Sequence, residues 1–199
     1  LAPSTTDGIR GSENKLVTDN ISAFFSGTWN ITDAFRLKAG VRYSYEKKQL
    51  DKSLTLVGLN NGEPMPDLFI DLIWEPRVDT SPYTVKLNRS ENDTSPMVIV
   101  EYDFSEDIML YASAIKGFKA GGYDSGHTNG TRLDLLEFEP EKAISYELGA
   151  KMTLLDGKAN LNIAAFQGEF EDLQVSIFNG SAGFIVTNAA ASTSRGIEL

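Results

Sequence analysis

The feature that most constrains this chain is a two-residue hydrophobic period sustained over long stretches. Between residues 35 and 45, Phe35, Leu37, Ala39, Val41, Tyr43 and Tyr45 alternate with Arg36, Lys38, Gly40, Arg42 and Ser44. Successive side chains of a strand point to opposite faces, so this spacing separates an apolar face from a charged one. A helix would scatter the same cations around its circumference. Just upstream, Ile21, Ala23, Phe25, Gly27 and Trp29 repeat the pattern, and the polar break at Asn30–Asp33 makes the two runs a hairpin. The period returns in Val98–Phe104 and in Ile144–Leu154, then resumes at Ala159 after Asp156-Gly157, a dipeptide suited to a type I′ turn. Sorting is looser in Ile108–Lys119. Beyond Ala165 the apolar set moves to Phe166 and Phe170, which calls for a bulge or a shifted register. A last strand is expected between Phe184 and Leu199. The pattern predicts three antiparallel hairpins, over 19–47, 94–119 and 143–177, in one continuous curved sheet of about seven strands.

The connections differ by end. Tight turns fall at 30–34, 104–107 and 155–157, whereas long links cover 48–93 and 120–142, with a shorter one at 178–183. Short turns at one end and long loops at the other are the asymmetry of outer-membrane barrels. Alternation alone does not separate a membrane sheet from a soluble one with one wet face. Three observations favour the membrane. Runs 35–45 and 144–154 reach the roughly 9–11 residues that a tilted spanning strand needs. Trp29, Phe35, Tyr43, Tyr45, Tyr102 and Phe104 collect near strand ends, as interfacial girdles do. Arg36, Lys38, Arg42, Glu147 and Lys151 all fall on the polar face, as expected of a water-filled lumen, with Leu37, Val41, Ile144, Leu148 and Met152 towards lipid. The predicted fold is therefore all-β, an incomplete antiparallel transmembrane β-barrel segment.

Composition removes other classes. Across 199 residues, 18 basic and 28 acidic side chains leave a net charge of -10, which argues against a nucleic-acid partner. With Cys 0 and His 1, disulfides, thiolate metal centres and multi-histidine sites are excluded. No apolar run is long enough for a transmembrane helix. Leu1 in place of Met, and a terminus that stops within a strand pattern at Arg195-Gly196-Ile197-Glu198-Leu199, lead us to expect a piece of a longer protein.

Particular strings carry a family likeness. Leu110-Tyr111-Ala112-Ser113, followed by Lys116-Gly117-Phe118-Lys119-Ala120-Gly121-Gly122-Tyr123, closely resembles a segment of TonB-dependent outer-membrane receptors. In chain order, Phe35–Tyr43, Ser95-Pro96 ahead of a strand, Phe138-Glu139-Pro140-Glu141-Lys142, Ser145–Lys151, Leu155-Asp156-Gly157, Ala164-Ala165-Phe166 and Arg195–Leu199 are similar to family patterns. The resemblance covers most of 19–199 and is weakest in the long links. It implies a 22-stranded barrel plugged by an N-terminal domain, of which residues 1–199 would form a partial barrel without the plug or the terminal strands. It further implies TonB-energised uptake of a scarce nutrient such as a ferric siderophore. The implied partners are outer-membrane lipid, the protein's own plug, the TonB complex through the missing N-terminal region, and a small-molecule ligand. Ala114-Ile115 departs from the family's more usual aromatic and small polar pair.

Few side chains invite a chemical role. Tyr123, His127 and Arg132 share one loop and are the ligand-binding candidates, although a solvated histidine is the plainer reading of His127. Gly121-Gly122 lacks the Gly-Lys-Ser/Thr ending of a phosphate loop. Glu137 with Glu139, and Glu169 with Glu171, are read as solvated rather than as glycosidase pairs. Asp71, Glu75 and Asp79 lack EF-hand spacing. No catalytic residue, metal site or cofactor is assigned. The competing readings are a soluble carbohydrate-binding β-sandwich and a porin without energy coupling.

Overall fold

The computed structural model describes residues 8–58, 62–75, 80–178, 180, 183–189 and 191–199. Its strands are β1 (Gly8–Asn30), β2 (Phe35–Gly58), β3 (Tyr83–Ser105), β4 (Ile108–Lys119), β5 (Gly122–Tyr123), β6 (Glu137–Phe138), β7 (Glu141–Leu154), β8 (Ala159–Glu171), β9 (Gln174–Phe178), β10 (Phe184–Asn188) and β11 (Ser192–Glu198). Seven of them form one antiparallel sheet in the order β1-β2-β3-β4-β7-β8-β11. Two small sheets, β5–β6 and β9–β10, lie in the links. No facing sheet of comparable size exists among the described residues, which removes the sandwich reading.

Turn chemistry explains the tight end. Thr32 Oγ1 accepts from the amides of Ala34 and Phe35 at 3.3 and 3.0 Å, closing the first turn. Between β7 and β8 the turn is four residues long, because Leu154 pairs with Ala159. Leu155, Asp156 and Gly157 all adopt positive φ (55°, 54° and 83°). Lys158 N donates to Leu155 O at 3.2 Å, so Asp156 and Gly157 are the central pair of the tight turn, as the sequence leads one to expect, and Leu155 ahead of them takes a left-handed conformation that Gly or Asn would adopt more easily.

Register fixes the faces. Leu37 pairs with Val100, Val100 with Ala112, Ala112 with Leu148 and Leu148 with Ala165, so all share one face. That outer face presents Phe25, Trp29, Val41, Val98, Leu110, Ile144, Leu148 and Ile197, all exposed. An uncovered apolar surface of this extent is what hydrocarbon, rather than water, accommodates. Arg36, Lys38, Arg42, Glu147 and Lys151 occupy the opposite, polar face, called the inner face below.

Three expectations are corrected. The stretches 48–58 and 83–93, read as link, are strand: β2 and β3 stay in unbroken register from Arg36↔Glu101 to Leu54↔Tyr83. Ser95-Pro96 consequently lies inside β3, and the β3–β4 ladder begins one residue later, at Met97↔Ile115, because proline supplies no amide hydrogen. The expected bulge near Phe166 is absent, since β7–β8 pairing runs continuously from Lys142↔Glu171 to Leu154↔Ala159. The single last strand is two strands, β10 and β11, and β10 turns back on β9.

Candidate functional site

The buried core lies at the loop end. Leu50, Leu54, Leu56, Met65, Ile70, Tyr123 and Leu136 are the buried hydrophobics among the described residues, and each belongs to the β2 extension or to the links. Along the inner face of that extension, β2 aligns Lys48, Leu50, Lys52 and Leu54 opposite β3 residues Arg89, Leu87, Val85 and Tyr83. The link after β4 folds onto this surface. β5 pairs with β6, and a 3-10 turn at Gly130–Leu135 begins where the Asn129 side chain accepts from the Thr131 amide at 2.8 Å. Leu136, wholly buried, then seats with Tyr123 against Leu50, Val85 and Leu87.

Side chains from the wall pin the link by its main chain. Lys48 Nζ donates to Gly121 O and Lys52 Nζ to Ser125 O, both at 2.5 Å. Arg89 Nη1 donates to Phe138 O and the Tyr83 hydroxyl to His127 O, both at 2.8 Å. Gly121 makes the Arg89 contact feasible, because a Cβ there would collide with the guanidinium and with Phe138 O. On the far side of the link, the Asp124 carboxylate accepts from Val186 N at 3.2 Å, and Asn188 binds Glu139 through both its amide atoms at 2.7 and 2.8 Å. The inner extension, the link and the β9–β10 hairpin form three successive layers.

Charge in this cap is uneven. Glu46 faces Glu91 and Lys48 faces Arg89 across the β2–β3 pair, an arrangement of like charges that is unfavourable by itself. Compensation runs along each strand, Lys48 to Glu46 at 2.5 Å and Arg89 to Glu91 at 3.5 Å. Arg89 also pairs with Glu137 of the link at 2.8 Å. Lys52 is only 2% exposed, and burial pushes its ammonium below the ordinary lysine value, against the pull of nearby Asp124. Burial also raises Tyr123, and raises Tyr83 to about 12 with help from Asp124.

Of the loop residues singled out by sequence, Tyr123 and His127 are buried, Tyr123 against Leu50 and Leu136 and His127 against Tyr83, and Arg132 is not. His127 is 3% exposed rather than solvated. Its Nε2–H donates to Asn129 O at 2.6 Å, and its ring meets Tyr83 edge-on at 6.0 Å. Arg132 lies on the outer side of the 3-10 turn, exposed and paired with Asp134 at 3.2 Å. Glu75 accepts from Thr131 at 3.2 Å, and Asp79 lies outside the described residues. Sequence reasoning missed Lys48, Lys52, Tyr83 and Arg89. Their signal was a continuing period of two, Lys48-x-Leu50-x-Lys52-x-Leu54-x-Leu56 on β2 and Tyr83-x-Val85-x-Leu87-x-Arg89 on β3.

Nearer the tight turns the inner face is polar and largely self-compensating. Arg36 binds Glu101 through Nε at 3.0 Å and Asp103 through both terminal nitrogens, while Lys38 reaches Glu101 at 2.5 Å. Tyr111 lies flat over Gly149, donates to Glu147 at 2.5 Å and carries Lys151 at 5.5 Å above its ring. Arg42 instead reaches two hydroxyls, Ser22 at 2.7 Å and Ser44 at 3.2 Å.

A single antiparallel sheet, apolar on its outer face, ion-paired within and capped at the loop end, defines a piece of an outer-membrane β-barrel. The sequence profile described as "TonB dependent receptor-like, beta-barrel" matches residues 2–199, and the chain belongs to that family. It is 25% identical over 189 residues to the pesticin receptor of Yersinia enterocolitica, covering 94% of this chain and 24% of the relative. It is 32% identical over 130 residues to the ferric-pyoverdine BN7/BN8 receptor of Pseudomonas putida, covering 63% of this chain and 15% of the relative. Among solved structures, the ferric yersiniabactin uptake receptor FyuA from Yersinia pestis superposes with a TM-score of 0.70 at 21% identity, covering 94% of this chain and 24% of that one. The chain spans about a quarter of the length of the pesticin receptor and of FyuA.

Proposed function

We propose that this chain is part of the wall of a receptor for TonB-energised uptake of a ferric siderophore. The observation that carries the reading is the inward-folded cap: a loop drawn over the inner wall by buried cations and phenols, at the end where the family receives its ligand. The names of the relatives, which include a ferric-pyoverdine receptor and a ferric yersiniabactin uptake receptor, support the ligand class. In this reading, residues 1–199 belong to a longer chain whose other parts supply the plug, the TonB contact and the remaining strands. Arg36, Lys38, Arg42, Glu147 and Lys151 then face a wet lumen and the plug. Arg132, already exposed, meets the ligand first, and Tyr123 and His127 follow once the cap lifts.

The test is deletion of the parent gene and measurement of iron-55 accumulation from a panel of ferric siderophores, with and without TonB and a proton-motive force. Loss of energy-dependent accumulation for one siderophore is expected. Unchanged accumulation for the whole panel, or accumulation indifferent to TonB, would place the protein among non-energised pores.

A further inference from the structure

Lys52 holds a buried ammonium whose only side-chain hydrogen bond to the described residues is to a main-chain carbonyl, Ser125 O. The Tyr83 ring lies 6.0 Å away, and the Asp124 carboxylate of the link acts on the ammonium through space without hydrogen-bonding to it, opposed by Arg10. A carbonyl supplies part of a charge, whereas a hydrogen bond between ionised partners is roughly twice as strong as one between neutral partners. Burying a cation opposite a dipole leaves an anion as the better partner. Lys48 and Arg89 also hold loop carbonyls, although each has a carboxylate partner besides, Glu46 for Lys48 and Glu91 and Glu137 for Arg89. Hydrogen bonding is incomplete here: among the described residues Arg89 Nε and both Glu91 carboxylate oxygens on the wall, and the Tyr123 hydroxyl on the link, are buried with no hydrogen-bond partner. The docked loop therefore seals the wall without satisfying it.

We propose that the loop 120–139 is an internal competitor for an anion site formed by Lys48, Lys52 and Arg89, and that an oxygen-rich polyanionic ligand displaces it. The proposal rests on the uptake reading above and specifies how that site is kept closed. Gly121 O, Ser125 O, His127 O and Phe138 O stand where ligand oxygens would bind. Lys48 and Lys52 are four residues apart on one strand, about 13 Å at roughly 3.3 Å per residue, so the site suits a chelate bearing several anionic oxygens rather than a small ion. Glu46 and Glu91 neutralise Lys48 and Arg89 along their strands, which makes Lys52 the deciding charge. Displacement also carries Glu137 away from Arg89, so the site gains positive charge as it opens. The Tyr83 hydroxyl, freed from His127 O, then becomes available as a neutral donor.

The experiment uses the full-length receptor in detergent, with nitroxides on Leu133→Cys in the loop and Lys86→Cys on the outer face of β3. The probe is gallium tris(catecholate), a diamagnetic trianion, and the control is uncharged gallium tris(tropolonate). The trianion is expected to lengthen the inter-label distance by about 5 Å or more, one strand spacing, and the neutral chelate to leave it unchanged. Lys52→Met keeps the apolar stem and removes the charge; it should raise the required trianion concentration about tenfold or more, and Lys52→Arg should restore the response. Movement with both chelates, movement with neither, or an unshifted response in Lys52→Met overturns the proposal. Intact iron accumulation alongside any of those results refutes the competitor mechanism alone. Absent accumulation refutes the uptake reading instead.

Discussion

Leu148→Arg and Lys151→Leu, made singly in the full-length receptor, test the orientation of the sheet. Leu148 sits on the outer face between Ala112 and Ala165 and is 65% exposed. It lies seven positions before Leu155, where the tight turn begins. At about 3.4 Å per residue and a strand tilt of about 40°, this places Leu148 roughly 18 Å above the turn, close to the middle of an apolar band about 25 Å tall. An arginine at that depth costs roughly 2–4 kcal/mol against lipid. Lys151 lies on the inner face, and Leu there forfeits a cation–π contact worth about 0.5–1 kcal/mol in a wet setting. Folding the two variants into lipid vesicles from urea, and reading heat-modifiable gel mobility, should show Leu148→Arg less stable than Lys151→Leu by at least about 1 kcal/mol. Equal stabilities, or the reverse order, would mean that the charged face meets the lipid.

Other predictions follow from the cap and the lower wall. Leu136→Ala, at a wholly buried position, should weaken docking of the link by about 2–5 kcal/mol, seen as faster amide exchange across 120–139 with β7 and β8 unchanged. Gly149→Ala drives a Cβ to 2.6 Å from the Tyr111 ring; it should cost about 1–3 kcal/mol of barrel stability, and less when made with Tyr111→Ala. The cap should also respond to pH in two phases, read as mobility of a nitroxide at Leu133. Lys52 titrates below its ordinary 10.5 when docked, so raising the pH relieves its buried charge and tightens the cap up to about pH 10. Tyr83 is raised from 10.0 to about 12 and Tyr123 is raised too, so above pH 10 the released state ionises first and the cap loosens through pH 12.

The membrane-spanning hairpins were legible because one face of each strand meets lipid and the other meets water, so every residue between Phe35 and Tyr45 reports its face. Pairing across the sheet then follows from the tight turns, which fix register at one end. The cap was not legible in the same way. His127 reads as solvated from its loop composition, Asp124-Ser125-Gly126-His127-Thr128-Asn129-Gly130, and only the fold shows a wall standing beside it. Lys48, Lys52 and Arg89 look like surface charge because nothing local says that a distant segment supplies carbonyls to all three. Such contacts link residues 73 positions apart for Lys48 and Gly121, beyond the reach of any periodic signal.

The misread strand extensions share one physical cause. On β2 the apolar positions are Leu37, Ala39, Val41, Tyr43 and Tyr45, then Leu50, Leu54 and Leu56, so the alternation changes phase between Tyr45 and Leu50. In β8 it changes between Ala165 and Phe166. In soluble sheets a phase change of this kind signals an inserted residue, because one face stays buried along the whole strand. Here neither strand carries an insertion in its β2–β3 or β7–β8 pairing; the surroundings change instead. Past the edge of the hydrocarbon the outer face turns to water and carries Lys47, Gln49 and Asp51 on β2, and Gln167 and Glu169 on β8. The inner face of β2 passes from a polar, ion-paired surface to the underside of the cap, where Leu50 and Leu54 are each 1% exposed. A phase inversion in unbroken register therefore marks where a barrel strand leaves the bilayer. By that criterion the loop end of β2 is continuous strand that has exchanged lipid on one side for protein on the other.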